Sequence, residues 1–367
     1  LVQIDVPLAC TPGVNDFSLA PIDEQWNAFV CGAYTGLSDA KGKVGVAEDF
    51  TPAPGGFSIA EWVEPTPITL DQNRQPSNPQ AFQVQNEGEA LGVFFVGQHA
   101  NLTSAGQIYG DVVHTEDFAS AFTVTSSVTL KEGGSYVQAN PIAFPERCQD
   151  FRSLSRYLKG VPSYGVAIPQ FWGGLKLLCK SGAANKAQCA GTTDSESPDF
   201  TYVFHVDATP WANGASGPYI NDGDVVVPDG ASILVSFENA ATVQFRYAQF
   251  KMKFAGGNPN APHGIEAIFN FPDTGDLTLD TYGLDGNLFA PYATVHLANY
   301  EQFGFIVAGA LYHSLNAWQP VGLRIPGWRG HLTVQTDCEP DYEPPTNQTP
   351  LPSGGPTPDE IYPSEAK

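Results

Sequence analysis

The chain has 367 residues, of which 17 are Lys or Arg and 39 are Asp or Glu, giving a formal net charge of -22. That balance repels nucleic acid and anionic membranes and leaves cations or neutral polymers such as glycans as the better partners. The length suffices for one large all-β domain or two smaller ones, the 37 Gly and 31 Pro favour many short strands and turns, and no run reaches the roughly 18 apolar residues of a membrane span.

Residues 1–25 read as irregular; with neither Met nor a charged region at the start, a signal peptide is expected to have been removed. Residues 26–34 predict a strand, and 38–47 a polar turn leading into a Gly-spaced apolar strand. Residues 64–89, rich in Pro, Asn and Gln, predict a surface excursion. Strands are predicted again at 91–97 and 106–113. Residues 145–159 predict the one helix: Phe144, Cys148, Phe151, Leu154 and Leu158 fall on one face, Pro145 suits the first turn and Gly160 the stop. Such a helix is expected to lie along a sheet and cover it.

From 201 onward the pattern returns to strands, at 202–206, 225–228, 232–237, 242–247, 264–271 and 277–279. Residues 286–313 then hold three short runs, 288–290, 293–298 and 303–311, nearly free of charge and punctuated too closely for helices. Their small residues Ala290, Ala298, Gly304, Ala308, Gly309 and Ala310 predict backbones stacked closely as successive turns of a solenoid. One or two more strands are expected within 321–334. After Cys338 the composition changes: residues 339–367 hold eight Pro and six acidic residues in 29, which predicts an extended Pro-rich acidic tail.

Several of these blocks match a known pattern. Residues 26–46 carry a strand followed by the turn Ser38-Asp39-Ala40-Lys41-Gly42-Lys43-Val44; 91–110 pair an apolar strand with a Gly-x-Ile-Tyr-Gly strand; 144–158 supply the helix; and 286–313 contain Ala290-Pro291-Tyr292-Ala293-Thr294-Val295. On these motifs the chain resembles the choice-of-anchor A family of secreted surface proteins, in which a β-rich domain precedes varying attachment signals. It departs from the family's Gly-Gly turns at Ala47-Glu48 and Gly97-Gln98. Its tail segment Leu351-Pro352-Ser353-Gly354-Gly355 resembles a sortase signal but has Gly354 where such a signal requires Thr.

The fold expectation is therefore mainly all-β, a discontinuous β-solenoid with one amphipathic covering helix and additional antiparallel strands. Residues 1–338 form the domain and 339–367 the tail. The closing block stacks on the opening ones, and residues of about 115–280 are inserted between these parts.

The six cysteines, Cys10, Cys31, Cys148, Cys179, Cys189 and Cys338, are even in number and form no CxxC pair, which favours disulfides in an oxidising compartment over metal binding. Cys179 and Cys189 bracket a polar loop and are the first choice for a local pair; the other pairings stay open. Sequons at Asn101 and Asn347 agree with secretion and glycosylation.

No catalytic set emerges. His99, His114, His205, His263, His296, His313 and His331 are dispersed, and alternation puts Thr294, His296 and Ala298 on one strand face with Val295 and Leu297 on the other. Asp273, Asp276, Asp280, Asp285 and Asn287, and a second group of Asn221, Asp222 and Asp224, are weighed as structural calcium ligands against plain turn formation. No other cofactor is expected. Trp172, Trp211, Trp318 and Trp328 stand beside Gly or Pro, where exposed rings could stack on sugars.

The expectation that follows is a secreted, glycosylated, non-catalytic structural or adhesive protein of a cell surface or wall, partnered by other copies of itself or by matrix proteins, with no nucleic acid and no membrane insertion. The second expectation is a carbohydrate-binding module for wall polysaccharide. The third is an ice-binding solenoid, ranked last because Thr294 is the only Thr in 286–313.

Overall fold

Runs of small, β-branched and aromatic residues, each only three to eight long between turns, cannot bury both faces alone; stacked on one another they form rungs. The computed structural model describes residues 13–17, 26–60, 92–131, 133–139, 142–170, 173–184, 188–189, 201–220, 224–228, 231–250, 267–298, 301–313, 322–323 and 332–336. Contacts divide the chain into two units, Leu1–Asp337 and Cys338–Lys367; the description concerns the first.

Three parallel ladders, joined at corners, form one large curled sheet. Ten strands make the first ladder, in stacking order Thr201–Asp207, Ser232–Glu238, Ala267–Asn270, the start of Asn287–Ala298, the start of Ile306–His313, Trp26–Val30, Lys43–Val46, Gly92–Val96, Asp111–His114 and Tyr136–Gln138. At about 4.8 Å per strand it spans roughly 43 Å. One inward row runs its whole length, Phe204, Val235, Phe269, Leu288, Ile306, Ala28, Val44, Phe94, Val112 and Tyr136. All but Tyr136 are buried, and each such Val, Leu, Ile or Phe side chain contributes roughly 1.5–3 kcal/mol.

The closing block stacks directly on the opening one, Ala28 to Ile306 and Phe29 to Val307. Residues 115–280, expected as an insertion, instead supply rungs at both tips of the stack: 122–138 extend the N-terminal end and 201–250 build the other. The helix segment and a small sheet of Val166–Pro169, Leu175–Leu178 and Val225–Val226 stand apart from the rungs. Alternation in sequence cannot show this, because a rung's partner lies one turn away rather than one residue away.

The predicted strand 26–34 breaks into Trp26–Val30 and Tyr34–Leu37. The corner between them needs glycine: a Cβ on Gly32 would lie 2.7 Å from the Gly309 carbonyl oxygen of the rung below. The expected antiparallel strands are present as Gly13–Phe17 against Leu332–Thr336 and as Val166–Pro169 against Leu175–Leu178. Of the predicted final strands, Gly322–Leu323 joins the main sheet. Residues 64–89 and 339–367 lie outside the described residues.

The helix, Phe144–Gly160, covers the outer side of the ten-stranded ladder and buries Phe144, Cys148, Phe151, Leu154 and Leu158, together with Ser155. Phe29 packs on Phe144 and Phe151, with centroids 5.4 and 5.1 Å away, and Phe289 on Phe151 at 5.9 Å. Gly45 leaves room beside them for the Trp26 ring, which a Cβ would meet at 2.8 Å. Cys31–Cys148 joins helix to rung across 117 residues, and Cys179–Cys189 closes the polar loop. Cys10 and Cys338 lie outside the described residues.

Polar contacts fix the second half of the helix. Asn270 is buried and donates to the Ser155 carbonyl at 2.9 Å and the Ser236 hydroxyl at 3.3 Å, while its own carbonyl accepts from the Ser155 hydroxyl at 2.6 Å. Lys159 donates to Asp273 at 2.7 Å. Just beyond the helix, His205 lies 2.6 Å from Glu238 and 2.7 Å from the Val161 carbonyl, two acceptors that suit a doubly protonated ring. The Glu238 hydrogen bond raises the His205 pKa against the opposing effect of burial. A raised folded-state pKa stabilises below the ordinary value of about 6.5 and loses that contribution as pH climbs above it. Thermal scans from pH 6 to 9 should show the wild type declining by on the order of a degree or two more than His205→Gln; parallel profiles would count against the linkage.

Candidate functional site

The second ladder is not covered by the helix. Its strands are Thr242–Phe250, Asp276–Asp285, the later parts of Asn287–Ala298 and Ile306–His313, then Tyr34–Leu37, Phe50–Pro52, Ala100–Leu102 and Phe122–Val124. Period-two alternation sends Val243, Phe245, Leu277, Leu279, Val295, Leu297, Leu311, Tyr34, Phe50 and Ala100 inward, all buried. The residues between them point outward and are partly or fully exposed.

Because the pairing is parallel and in register, these outward residues line up. Gln244, Thr278, His296, Tyr312, Thr35 and Thr51 are successive partners. Asn101 and Thr123 continue the row, each one residue beyond the paired inward residues Phe50, Ala100 and Phe122. Eight rungs at about 4.8 Å make a straight line of roughly 34 Å. None of the eight is an acid or a permanent cation, although the chain carries a net charge of -22. A second row, Thr242, Asp276, Thr294 and Ala310, runs beside the first. In the middle, the His296 and Tyr312 rings lie 5.5 Å apart at 17°, stacked with an edge open to solvent. Burial raises the Tyr312 pKa, with a smaller push from Glu48, so its hydroxyl stays a hydrogen-bond donor at ordinary pH.

A regular line of hydroxyls and amides with two stacked rings can form many weak, directional contacts with an extended polar ligand. At the end of the row Thr123 Oγ1 lies 3.0 Å from His99 Nε2, and among the described residues there is no group of three or more His, Cys, Asp or Glu that could hold a metal ion. Thr294, His296 and Ala298 fall on the outward face as alternation predicts. The rest of the row could not be seen in sequence: Tyr312 lies on another strand of the closing block, Thr35, Thr51, Asn101, Thr123, Gln244 and Thr278 come from strands up to 243 residues apart, and only the stacking order makes them neighbours.

The calcium candidates do not assemble. Asp273 is bound by Lys159 and by the Asn239 amide at 3.0 Å, which together hold its carboxyl low despite burial pushing it up. Asp276 and Asp280 stand four residues apart on one strand, about 13 Å, too far to share an ion. Asp285 ends the same strand. Asn287 is buried between rungs, donating to the Ala267 carbonyl and accepting from the Phe305 amide, both at 2.9 Å. Asp224 is also buried, while Asn221 and Asp222 lie outside the described residues.

Trp211 is only 5 % exposed, its ring packed edge-on against Phe237 and Phe245, so it offers no stacking surface. The neighbouring Pro210 belongs to a short 3-10 turn, Thr209–Trp211, that tucks the ring inside. Trp172, Trp318, Trp328 and Asn347 lie outside the described residues. Asn101, the other sequon, sits on the outward row itself. Among the described residues no helix is long and apolar enough to cross a membrane.

A family model described as "Putative Ice-binding-like adhesive domain" matches residues 20–317. The finer resemblance to choice-of-anchor A proteins rests on the quoted motifs alone. No curated protein matches the chain. Among solved structures, the competence-associated pilin ComZ from Thermus thermophilus aligns at 10% identity over 84% of this chain and 74% of that one, with a TM-score of 0.31, too low to establish a shared fold.

Proposed function

Given that the chain belongs to the ice-binding-like adhesive domain family, we propose that it is a secreted, non-catalytic adhesive module whose contact surface is the uncovered ladder face, and that this face binds a surface polysaccharide. The observation that carries the reading is the single in-register row from Gln244 to Thr123. Hydroxyl and amide groups at a regular spacing suit the hydroxyls of an extended glycan, and the stacked His296 and Tyr312 rings supply the aromatic contact that sugar faces favour. The two disulfides fit an oxidising, extracellular setting.

The test is retention of the full chain on cellulose, chitin and β-glucan, compared with His296→Ala/Tyr312→Ala. Both rings point away from the core, so the double variant should keep its fold and lose about ten- to thirty-fold in affinity, the size expected when a central aromatic contact is truncated. Unchanged retention would overturn the face as the contact surface.

Ice binding is the second reading, favoured by the four threonines Thr278, Thr35, Thr51 and Thr123 that the stacking brings onto one row. His296 and Tyr312 interrupt that row, which is why the glycan reading is preferred. Thermal hysteresis above that of a buffer control would reverse the order. Assembly between copies has a structural basis at the N-terminal tip, where Phe122–Val124, Val128–Lys131 and Tyr136–Gln138 are paired on one side only among the described residues.

A further inference from the structure

We infer that the glycan bound by the ladder face carries isolated sugar carboxylates, and that these are taken by Arg152 and Arg156 at the corner where the helix meets the face. The inference rests on the reading of that face as the contact surface. Tyr292 marks the corner: it is on the same strand as Thr294 and His296, two and four residues before them, about 7 and 13 Å away. Its hydroxyl donates to the Arg152 carbonyl at 3.0 Å. The Arg156 guanidinium lies 4.7 Å from the Tyr292 ring centre and that of Arg152 at 6.0 Å, while Arg152 Nε donates to the Pro291 carbonyl at 3.3 Å.

Arg152 is thus held by a ring and a carbonyl, and Arg156 by the ring, rather than by an acid. Neither takes part in an ion pair among the described residues, in a chain where acids outnumber bases by 39 to 17. The nearest candidate, Asp273, is already committed to Lys159 and the Asn239 amide and feels Arg156 only as a more distant charge. Both arginines are partly exposed. Two pre-positioned forks of N–H donors match a carboxylate better than a lysine would. The net charge of -22 disfavours a dense polyanion. A mainly neutral polysaccharide with scattered acidic sugars satisfies both constraints: its neutral stretch lies along the uncharged row and one carboxylate reaches the corner.

Uronic and sialic acids share this chemistry, so the probes are glucuronoxylan, the same polymer after carboxyl reduction, and a sialylated oligosaccharide, each immobilised and titrated with the full chain at low and moderate salt. The wild type should bind at least one acidic probe about ten-fold more tightly than the reduced polymer, and the acid that binds identifies the source. Arg152→Gln/Arg156→Gln should erase that difference while leaving affinity for the reduced polymer unchanged, and His296→Ala/Tyr312→Ala should weaken every probe. Arg152→Lys/Arg156→Lys, which keeps the charge, should retain part of the preference at low salt; circular dichroism of each variant checks the fold. Equal wild-type affinity for acidic and reduced polymers, or an acid preference that survives the Gln variant, overturns this inference alone. Indifference of every probe to the ring variant overturns the reading of the face, and this inference with it.

Discussion

Replacing Cys31 and Cys148 together by Ser should lower the stability of the domain by about 4–5 kcal/mol on the chain-entropy account, near the top of the range of roughly 2–5 for removal of a native disulfide. The bond closes a span of 117 residues, and the entropy of the unfolded chain grows with the span that is freed. Its position adds to the effect. Cys148 lies in the first half of the helix, whose N-cap, Ala143, has no side-chain hydrogen bond to the helix end. The opening rung and the helix are therefore held together there by the disulfide and by Phe29 against Phe144 and Phe151. Melting of the double variant should fall by roughly 5–10 °C, and adding reductant to the wild type should move it toward the same value. A shift of less than about 2 °C would mean that the aromatic seam alone holds the helix.

Acid should destabilise the protein through one residue inside the solenoid. His313 points inward between rungs and is 5 % exposed, with Tyr34 O–H 3.4 Å from its Nε2 and the two rings 5.3 Å apart. Burial pushes its pKa down from 6.5 to about 3, against a weak opposing contact with the Gly36 backbone. Below about pH 6.5 the unfolded chain therefore takes up a proton that the folded chain refuses, and stability falls as pH falls, by roughly 1.4 kcal/mol per unit toward pH 3. His313→Phe keeps a ring in the same space and has nothing to protonate. Denaturant midpoints from pH 7 to 4 should show the wild type losing stability more steeply than this variant by about that slope. Equal slopes would place the acid sensitivity among the carboxylates. With His205 acting in the opposite direction above neutrality, the most stable pH is expected between the two transitions.

How far such features can be read from the sequence depends on whether their cause is local. The helix was legible because Phe144, Cys148, Phe151, Leu154 and Leu158 recur at helical spacing, and the structure adds only Ser155 to its buried face. The close stacking of the strands within 286–313 was legible from small residues, and Gly309 shows why: its Cβ would stand 2.8 Å from the Ala293 carbonyl oxygen of the adjacent rung. The true place of 122–138 and 201–250 was not legible, since their strands look the same whether they form rungs or an inserted subdomain. The outward row was hidden for the same reason: alternation along 293–298 places His296 on it, and the other seven residues reach it from separate turns. Trp211 failed in the other direction: a Pro and a Gly nearby resembled an exposed loop, while two phenylalanines from later strands enclose the ring.

The antiparallel pair of Gly13–Phe17 and Leu332–Thr336 brings together strands some 300 residues apart in sequence. Gly13 and Thr336 are register partners, and the strands run inward from them to Phe17 and Leu332. The first and last described strands thus lie side by side, and labels placed at Gly13 and at Thr336 report from neighbouring points of the domain.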